Sequence, residues 1–462
     1  MFDAQELEQE IATLYGSLGH RRYDLEEISQ LQHALQTADR AESGGAAPAL
    51  VLAALLHDVG HMVGGFGENP AALGIDGRHE AAGGNWLAAR LPASVSEPVR
   101  LHVAAKRYLC GTEPEYESTL APDSIISLKL QGGPMGATEA VAFRDTPFAM
   151  DAVALRRLDD LAKDPHAKPP SIDHFLRHIP AAHIGTAERQ SFARDGFLVL
   201  RDFFSASDVA AIDGWSRAMG WEATATLARA IQDGVSPSVL ARDGGLIVVP
   251  EAVDPEQVCR FEYLLGAMPE LRAMVMARIA PVISALAGEA FIPFKDKENE
   301  KHSGGGAFGP HQDFAAYQAF GPRYNITAML PIDPATRANG CLEFAVDWAR
   351  AARGMAGAVR EEIDGRALLA FNEGGPSHGD VRQETIANFH WQIVETSPTD
   401  LVLFDSFVPH RSAPNGTQSS RRAMFLTFNA AREGDWYERY YADKRANYDD
   451  PKFHVSTPTA RR

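Results

Sequence analysis

Two groups of residues in this chain have the types and spacing that hold metal ions, and the two differ in design. The first is His33, the adjacent pair His57-Asp58, His79, His102 and Asp159, with Asp160 next to Asp159 as the alternative carboxylate. Its imidazoles and carboxylates suffice for two metals, and this ligand mix suits iron, manganese or zinc. The second is His311-Gln312-Asp313 with the distant His410. Two histidines and one carboxylate form the facial set of mononuclear non-haem Fe(II), which leaves three positions open. The pair His57-Asp58 lies in LVLAALLHDVGHM, an apolar helix in which a His and an Asp are costly to bury without a metal or a partner.

A second layer of residues points to what these metals meet. His61 follows His57 by four, Lys106 follows His102 by four, and Arg156 precedes Asp159 by three. On a helix those spacings share a face, so three helices would present a cation or imidazole beside a ligand. Such a pocket suits a phosphate or phosphonate. In the second group, Arg421 lies eleven residues after His410, where a guanidinium can take a carboxylate bidentately, with the Ser412 hydroxyl adding to it.

The elements that must position these residues fall into two kinds. Residues 1–165 are rich in Ala and Leu at helical spacing. They predict helices over 3–17, 24–42, 48–62, 79–91, 95–109, 123–131, 137–145 and 148–163. Residues 166–186 are rich in Pro and His and read as a linker, with His166, His174, His178 and His183 solvated or at an interface. From 187 onward, GLIVV, YNITAMLPI, CLEFAV, NFHWQIVE, DLVLF and AMFLTFNA read as short strands, with helices over 206–220, 222–233 and 267–287. The expected architecture is multidomain: an all-α domain over 1–165, the linker 166–186, and a double-stranded β-helix (jelly-roll) domain with flanking helices over 187–462.

Composition agrees with this division and excludes some functions. A length of 462 residues favours two cores. The formal charge of −17 offers no basic field for nucleic acid, so an anionic substrate needs a local basic cluster. Three cysteines without a CxxC pair fit a reducing cytoplasm. The acidic, amphipathic start MFDAQELEQEIATLYGSL is no secretory signal, and PALVLAALLHDVG is too short to span a bilayer. No nucleic-acid or membrane partner is expected, and the oligomeric state is left open.

Nearly all of residues 1–165, through Tyr23, Glu26, His33, His57-Asp58, His79, His102 and Asp159, resembles the HD-domain mixed-valent diiron oxygenases. These include an enzyme that cleaves 2-amino-1-hydroxyethylphosphonate to glycine and phosphate. The resemblance implies a mixed-valent Fe(II)/Fe(III) pair: one iron on His33, His57, Asp58 and Asp159, the other on Asp58, His79 and His102. It further implies that Tyr23 occupies the substrate position until substrate arrives, with Glu26 alongside, and that His61, Lys106, Ser124 and Arg156 hold the phosphonate. Most HD proteins are phosphohydrolases, so a phosphohydrolase fused to an unrelated 2-oxoglutarate-dependent hydroxylase is the alternative.

Over roughly 187–435 the segments ARDGFLVLRDFFS, KDKENEK and VPHRSAPN resemble the phytanoyl-CoA dioxygenase family, which includes a 2-aminoethylphosphonate hydroxylase. That implies Fe(II) on His311, Asp313 and His410, with 2-oxoglutarate held through its far carboxylate by Arg421 and Ser412. Lys297 and Lys301 would face the active site and bind cosubstrate or an anionic substrate. Together the halves imply a bifunctional oxygenase for a small-molecule phosphonate. The C-terminal domain would hydroxylate C1 of 2-aminoethylphosphonate or an N-substituted analogue, and the N-terminal domain would cleave the C–P bond with O2. A primary amine would favour a carboxylate such as Glu26. A quaternary ammonium would favour an aromatic cage, for which Phe314, Tyr317, Trp391 and Phe407 are candidates.

Overall fold

The computed structural model describes residues 4–22, 28–64, 78–240, 244–251, 254–374, 377–448 and 450–453. It divides into two compact units between Gly185 and Thr186.

The N-terminal unit is built from helices: α1 (Ala4–Leu18), α2 (Gln30–Ser43), α3 (Pro48–Leu56), α4 (Gly60–Val63), α5 (His79–Ala88), α6 (Ala93–Thr112), α7 (Pro122–Leu130), α8 (Ala137–Arg144) and α9 (Ala149–Asp160). The centre is α3, PALVLAALL, whose residues from Val51 to Leu56 are fully enclosed. Proline at its first turn suits the start of a helix, where the missing N–H has no partner to lose. The expected continuous helix over 48–62 is interrupted at His57-Asp58-Val59. There the backbone tightens into i→i−3 bonds, Val59 N to Leu56 O at 3.1 Å and His61 N to Asp58 O at 3.0 Å. Such 3₁₀-like turns re-aim side chains, and here they carry Asp58 and His61 to the ligand cluster.

The segment 166–186 differs from the expected linker. It forms α10 (Ile172–Leu176) and α11 (Ile179–Ala182), and Phe175, Leu176 and Ile179 are buried in the core shared with α1 and α3. The surrounding prolines and histidines hide an apolar stripe that cannot stay in water. His174, His178 and Arg177 all hold Glu42 of α2.

The C-terminal unit is a jelly-roll-like pair of antiparallel sheets. Its strands are β1 (Phe197–Leu200), β2 (Ile247–Pro250), β3 (Val258–Glu262), β4 (Phe291–Lys301), β5 (Phe308–His311), β6 (Asn325–Pro331), β7 (Leu342–Val346), β8 (Val359–Ile363), β9 (Arg366–Leu369), β10 (His390–Val394), β11 (Leu401–Asp405), β12 (His410–Ser412) and β13 (Arg421–Ala430). The larger sheet has the order β1-β11-β6-β13-β4-β3-β2, the smaller β10-β7-β12-β5, and β8-β9 is a separate hairpin. All the strands read from the sequence are present. The two helices expected over 206–233 are one, Ala206–Asp233, started by a Ser205/Asp208 capping box and ended at Gly234 with φ 67°. The helix expected over 267–287 runs without a gap from Pro269 to Ala287 and widens into a π turn at Val275–Ile279, just before Pro281, which has no N–H to give to the helix.

The sequence reading missed β4, FIPFKDKENEK. Its run of charges resembles a loop, yet it is a central strand between β13 and β3. The two-residue period sorts the charges. Asp296 and Glu298 face a buried layer, where Asp296 accepts from Leu264 N, Leu265 N, Tyr437 and Tyr441, and Glu298 accepts from Ser216. Lys295 and Lys297 face the other way, into the cavity of the barrel.

Candidate metal centres

In the N-terminal unit the expected ligands converge from α2, the α3–α4 turn, α5, α6 and α9. His33 Nε2 and His57 Nε2 are 3.1 Å apart, as are His79 Nε2 and His102 Nε2. Asp58 lies between the pairs. Its Oδ2 is 3.4 Å from His57 and 3.8 Å from His33, and its Oδ1 is 3.5 Å from His79 and 3.9 Å from His102. One carboxylate thus serves two imidazole pairs with separate oxygens. Asp159, rather than Asp160, completes the first pair, with Oδ1 3.1 Å from His33 Nε2.

Several features fit metal ions here. Nδ1 of His33, His57 and His102 lies 2.6–2.9 Å from a backbone carbonyl, of Ala162, Ala54 and Val99 respectively. A carbonyl only accepts, so Nδ1 carries the hydrogen and the Nε2 lone pair points into the cluster. Burial drives His102 down to about 4 and His79 well below the usual imidazole range, which keeps both rings in the neutral form that ligates. At His57 burial acts in the same sense, but Asp58 and Asp159 outweigh it and push the ring up to about 9; a cation amid these groups would reverse that. Asp159 Oδ1 is buried without a hydrogen bond. Gly60 makes the convergence possible. A Cβ there would stand 1.9 Å from the carbonyl oxygen of His79, so only glycine lets α4 approach the start of α5 this closely.

The expected phosphonate-holding residues are placed unevenly. Lys106 is buried, its Nζ donating to Ser127 Oγ at 2.8 Å, and burial together with Arg156 brings it down to about 7. The hydroxyl that meets it belongs to Ser127, one helical turn after the expected Ser124. Spacing alone could not choose between two serines on α7. Arg156 has a different duty from the expected one: it holds Asp159 Oδ2 at 2.7 Å, Asp160, and Tyr116 Oη. It orients a metal ligand, with Asp160 and Tyr116 as its other anchors. His61 stacks on His79 with ring centroids 4.1 Å apart and joins Asp58 and His79 as a third potential donor. Tyr23 and Glu26 lie outside the described residues.

In the C-terminal unit the register does the positioning. β12 pairs with β5 so that His410 stands directly opposite His311, and Asp313 follows where β5 ends. Asp313 Oδ1 is 3.7 Å from His311 Nε2 and 3.9 Å from His410 Nε2. Each histidine again turns Nδ1 to a carbonyl two residues back, of Gly309 and Val408. Burial and His410 bring His311 down to about 4, and burial lowers His410, so both rings are neutral. Gln312, between the ligands, points the other way and clips the turn to β9 and Phe407 through Leu369 N, Ala367 O and Phe407 O.

Beside the triad lies a cavity of about 420 Å³ whose lining includes Asn299, Phe404, Ser412 and Arg421. β13 pairs with β4 so that Arg421 stands opposite Lys301. Lys301 Nζ donates to Ser412 Oγ at 2.8 Å and to Ala413 O at 2.6 Å, and burial with Arg421 brings it down to about 7. Arg421 donates Nη1 to Gly340 O at 2.9 Å, while its Nε is buried without a partner. Two buried cations with an unspent donor fit the far carboxylate of a keto acid chelated at the triad. Lys297 also borders this cavity.

A family model covers this half. Residues 192–423, half of the chain, match the family model for phytanoyl-CoA dioxygenase (PhyH). The chain belongs to the phytanoyl-CoA dioxygenase family. Among its relatives is the methylphosphonate hydroxylase of Gimesia maris, 36% identical over 200 residues, which are 43% of this chain and 68% of that protein. Another is the [1-hydroxy-2-(trimethylamino)ethyl]phosphonate dioxygenase (glycine-betaine-forming) of Leisingera caerulea, 40% identical over 178 residues, 38% of this chain and 91% of that protein. A third is the 2-aminoethylphosphonate dioxygenase of an uncultured bacterium, 34% identical over 192 residues, 41% of this chain and 66% of that protein. Among the described residues, no helix is long and apolar enough to cross a membrane.

Proposed function

We propose that this dioxygenase-family chain oxidises C1 of a small phosphonate twice: it hydroxylates C1 at the C-terminal centre and then breaks the C–P bond at the N-terminal one. The observation that carries this reading is that one chain holds two donor sets of different design, each beside buried cations: a cluster with room for two metals beside Lys106, and a facial triad with buried Lys301 and Arg421 and half-buried Lys297. The relatives support the order. One is named for hydroxylating a phosphonate and another for oxidising a 1-hydroxyphosphonate, so the product class of the first is the substrate class of the second. The second relative matches over 91% of its length in 178 residues, close to the extent of the unit Phe2–Gly185.

Iron bound with 2-oxoglutarate and O2 supplies the oxidising power at the triad, with succinate and CO2 as coproducts, and an iron pair supplies O2 activation at the cluster. The protein's part is placement. His311, Asp313 and His410 would hold the iron, and three protein donors would leave room for cosubstrate and O2. Arg421, Lys301 and Ser412 fix the cosubstrate's far end, while Phe404 and Phe425 wall off water. At the cluster, Asp58 spans both imidazole pairs, Arg156 orients Asp159, and Lys106 with Ser127 holds the phosphonate. The second step balances as 1-hydroxyphosphonate plus O2 giving a carboxylate, phosphate and a proton. The relatives' names share the phosphonate and differ in the substituent; the sequence resemblance points to 2-aminoethylphosphonate or an N-substituted analogue.

Anaerobically purified, iron-loaded protein given a phosphonate panel, 2-oxoglutarate and O2 should release phosphate. His311→Ala should abolish release from the parent phosphonate and spare the 1-hydroxy compound, whereas His57→Ala should let the 1-hydroxy compound accumulate. No phosphate from either compound would refute the reading. Phosphate release from a phosphoester without O2 would instead favour a hydrolase in the N-terminal unit.

A further inference from the structure

On the other side of the triad from Arg421 lies a second cavity of about 550 Å³, bounded by β3, β4 and the helix Tyr437–Ala446, with His311 and Asp313 in its wall. β3 pairs with β4 so that Glu262 stands opposite Lys297 and Arg260 opposite Asn299. Arg260, Glu262, Lys295 and Lys297 therefore share its lining, with Lys444 and Lys452 added from the C-terminal segment.

The carboxylates of this chamber are already spoken for. Glu262 is 1% exposed, and Lys444 Nζ holds its two oxygens at 2.7 and 2.8 Å. Asp313 belongs to the triad. Lys452 is paired with Asp443 at 2.8 Å. Among the described residues Lys295 and Lys297 have neither a hydrogen bond nor an ion pair, while Arg260 is ion-paired with Glu262, its buried Nε 3.2 Å from Oε1 but without a hydrogen bond. Burial lowers Lys295, and burial together with Lys295 brings Lys297 to about 8. Half-buried ammonium groups two residues apart on one face of a strand, with ring contacts but no carboxylate of their own, repel each other and favour an anion between them.

The aromatic faces are equally taken, by the chain's own cations. Lys295 Nζ lies 5.3 Å from the Tyr317 ring and 5.4 Å from Tyr440; Lys452 lies 4.9 Å from Phe453, and Lys297 5.4 Å from Phe425. These are cation–π distances. Three of the aromatics that sequence offered for a cage are occupied elsewhere: Phe314 and Phe407 stack on each other at 4.4 Å, and Trp391 carries Arg411 at 4.1 Å. Among the described lining residues, then, each carboxylate is engaged by Lys444 or the triad, and each phenyl or phenol ring, Phe308 included through Lys301 at 5.5 Å, already faces a cation of the chain.

We infer that this chamber seats the phosphonate of the substrate on Lys295 and Arg260, with Lys297 at the border with the cosubstrate cavity, and that it selects alkylphosphonates bearing no cationic group, of which methylphosphonate is the smallest. This rests on the hydroxylase reading above and narrows its substrate class. A dianion with three acceptor oxygens can be met by the Lys295 and Lys297 ammonium groups and by Arg260, whereas a positive charge on the substrate meets these cations and carboxylates that are already engaged. The reaction is RCH2PO3²⁻ plus 2-oxoglutarate plus O2 giving RCH(OH)PO3²⁻, succinate and CO2; with methylphosphonate the second step yields formate and phosphate.

The test uses the full-length, iron-loaded protein at saturating 2-oxoglutarate, comparing methyl-, ethyl-, 2-aminoethyl- and 2-(trimethylammonio)ethylphosphonate by succinate formation. The expected kcat/KM is at least tenfold higher for the two uncharged substituents. Lys295→Gln should raise KM for methylphosphonate at least tenfold while leaving KM for 2-oxoglutarate unchanged, and Lys295→Arg should restore most of the loss. Anaerobic calorimetric titration of methylphosphonate should show the same ranking of variants without turnover. Equal or better turnover of either ammonium compound overturns the inference while the hydroxylase reading stands. So does a rise in KM for 2-oxoglutarate instead of phosphonate in Lys295→Gln. Succinate formation with none of the four phosphonates overturns both together.

Discussion

Gln312 sits between two ligands of the C-terminal triad and ligates nothing, yet its amide ties the ligand turn to β9 and Phe407. Truncating it leaves the buried Leu369 N–H without its acceptor, a cost of about 1–3 kcal/mol, and loosens the spacing of His311 and Asp313. Gln312→Ala should weaken iron binding at the triad by about 10–100-fold, the usual effect of removing a group that orients a ligand. Chelator competition measures it, and unchanged affinity would mean that the β5–β12 pairing alone holds the triad. Arg156 plays the matching part at the cluster, so Arg156→Met should cost metal affinity in the N-terminal unit and leave the triad's unchanged. The ligands themselves were legible because metal chemistry restricts residue types. The residues that orient them were less so. Arg156 reads from spacing as a substrate contact, and only tertiary placement shows it spent on Asp159, Asp160 and Tyr116. Lys295 opens the segment KDKENEK, but that segment singled out Lys297 and Lys301 and left Lys295 without a role.

Among the elements, the joint between α4 and α5 is the most exacting. Gly60→Ala would drive a methyl group against the backbone of His79, an overpacking cost of about 1–3 kcal/mol or more, and would push His79 away from Asp58. Metal analysis should find the metal proposed for the N-terminal cluster largely lost. Gly214→Ala, with nothing within 4 Å of the new methyl, should leave metal content unchanged and stabilise its helix slightly. A second joint ties α2 to α10 and the turn after it. Partial burial raises Glu42, but hydrogen bonds from His174, His178 and Arg177 outweigh it and bring the carboxylate down to about 2. A carboxylate lowered in the folded state stabilises fully above its unfolded value, near 4.5, and that contribution is lost as pH falls toward 2. The difference in Tm between the native protein and Glu42→Gln should therefore be constant near neutrality and shrink between pH 4.5 and 3; a constant gap down to pH 3 would remove the ion cluster from the account. Strands such as β6 and β11 were legible because both of their faces are apolar. β4 was not, because its buried acids are satisfied by tyrosine, serine and backbone partners far away in sequence. The helices over 172–182 were obscured by prolines whose effect depends on where the chain has room to turn.

At the scale of the whole molecule, the chain changes from helical to strand periodicity near residue 187, and its compact units divide at Gly185–Thr186, since each must close its own core. The charge distribution was only half visible. A formal charge of −17 says that the chain as a whole repels a dianion, while the cations that attract one, Lys106, Lys295, Lys297 and Arg421, are inside. The two contributions respond differently to salt. Raising NaCl from 0.02 to 0.2 M shortens the Debye length from roughly 20 Å to roughly 7 Å, which damps the long-range repulsion, whereas enclosed lysines are screened much less. The kcat/KM of the full-length protein for its phosphonate should therefore stay within about twofold or rise over that range. An enzyme that gathers a dianion with an exposed basic surface shows the reverse. Steady-state rates at constant pH and saturating 2-oxoglutarate decide the matter. A tenfold fall would place the attracting charge on the surface rather than in the buried chamber, and would move the search for the phosphonate seat away from β4.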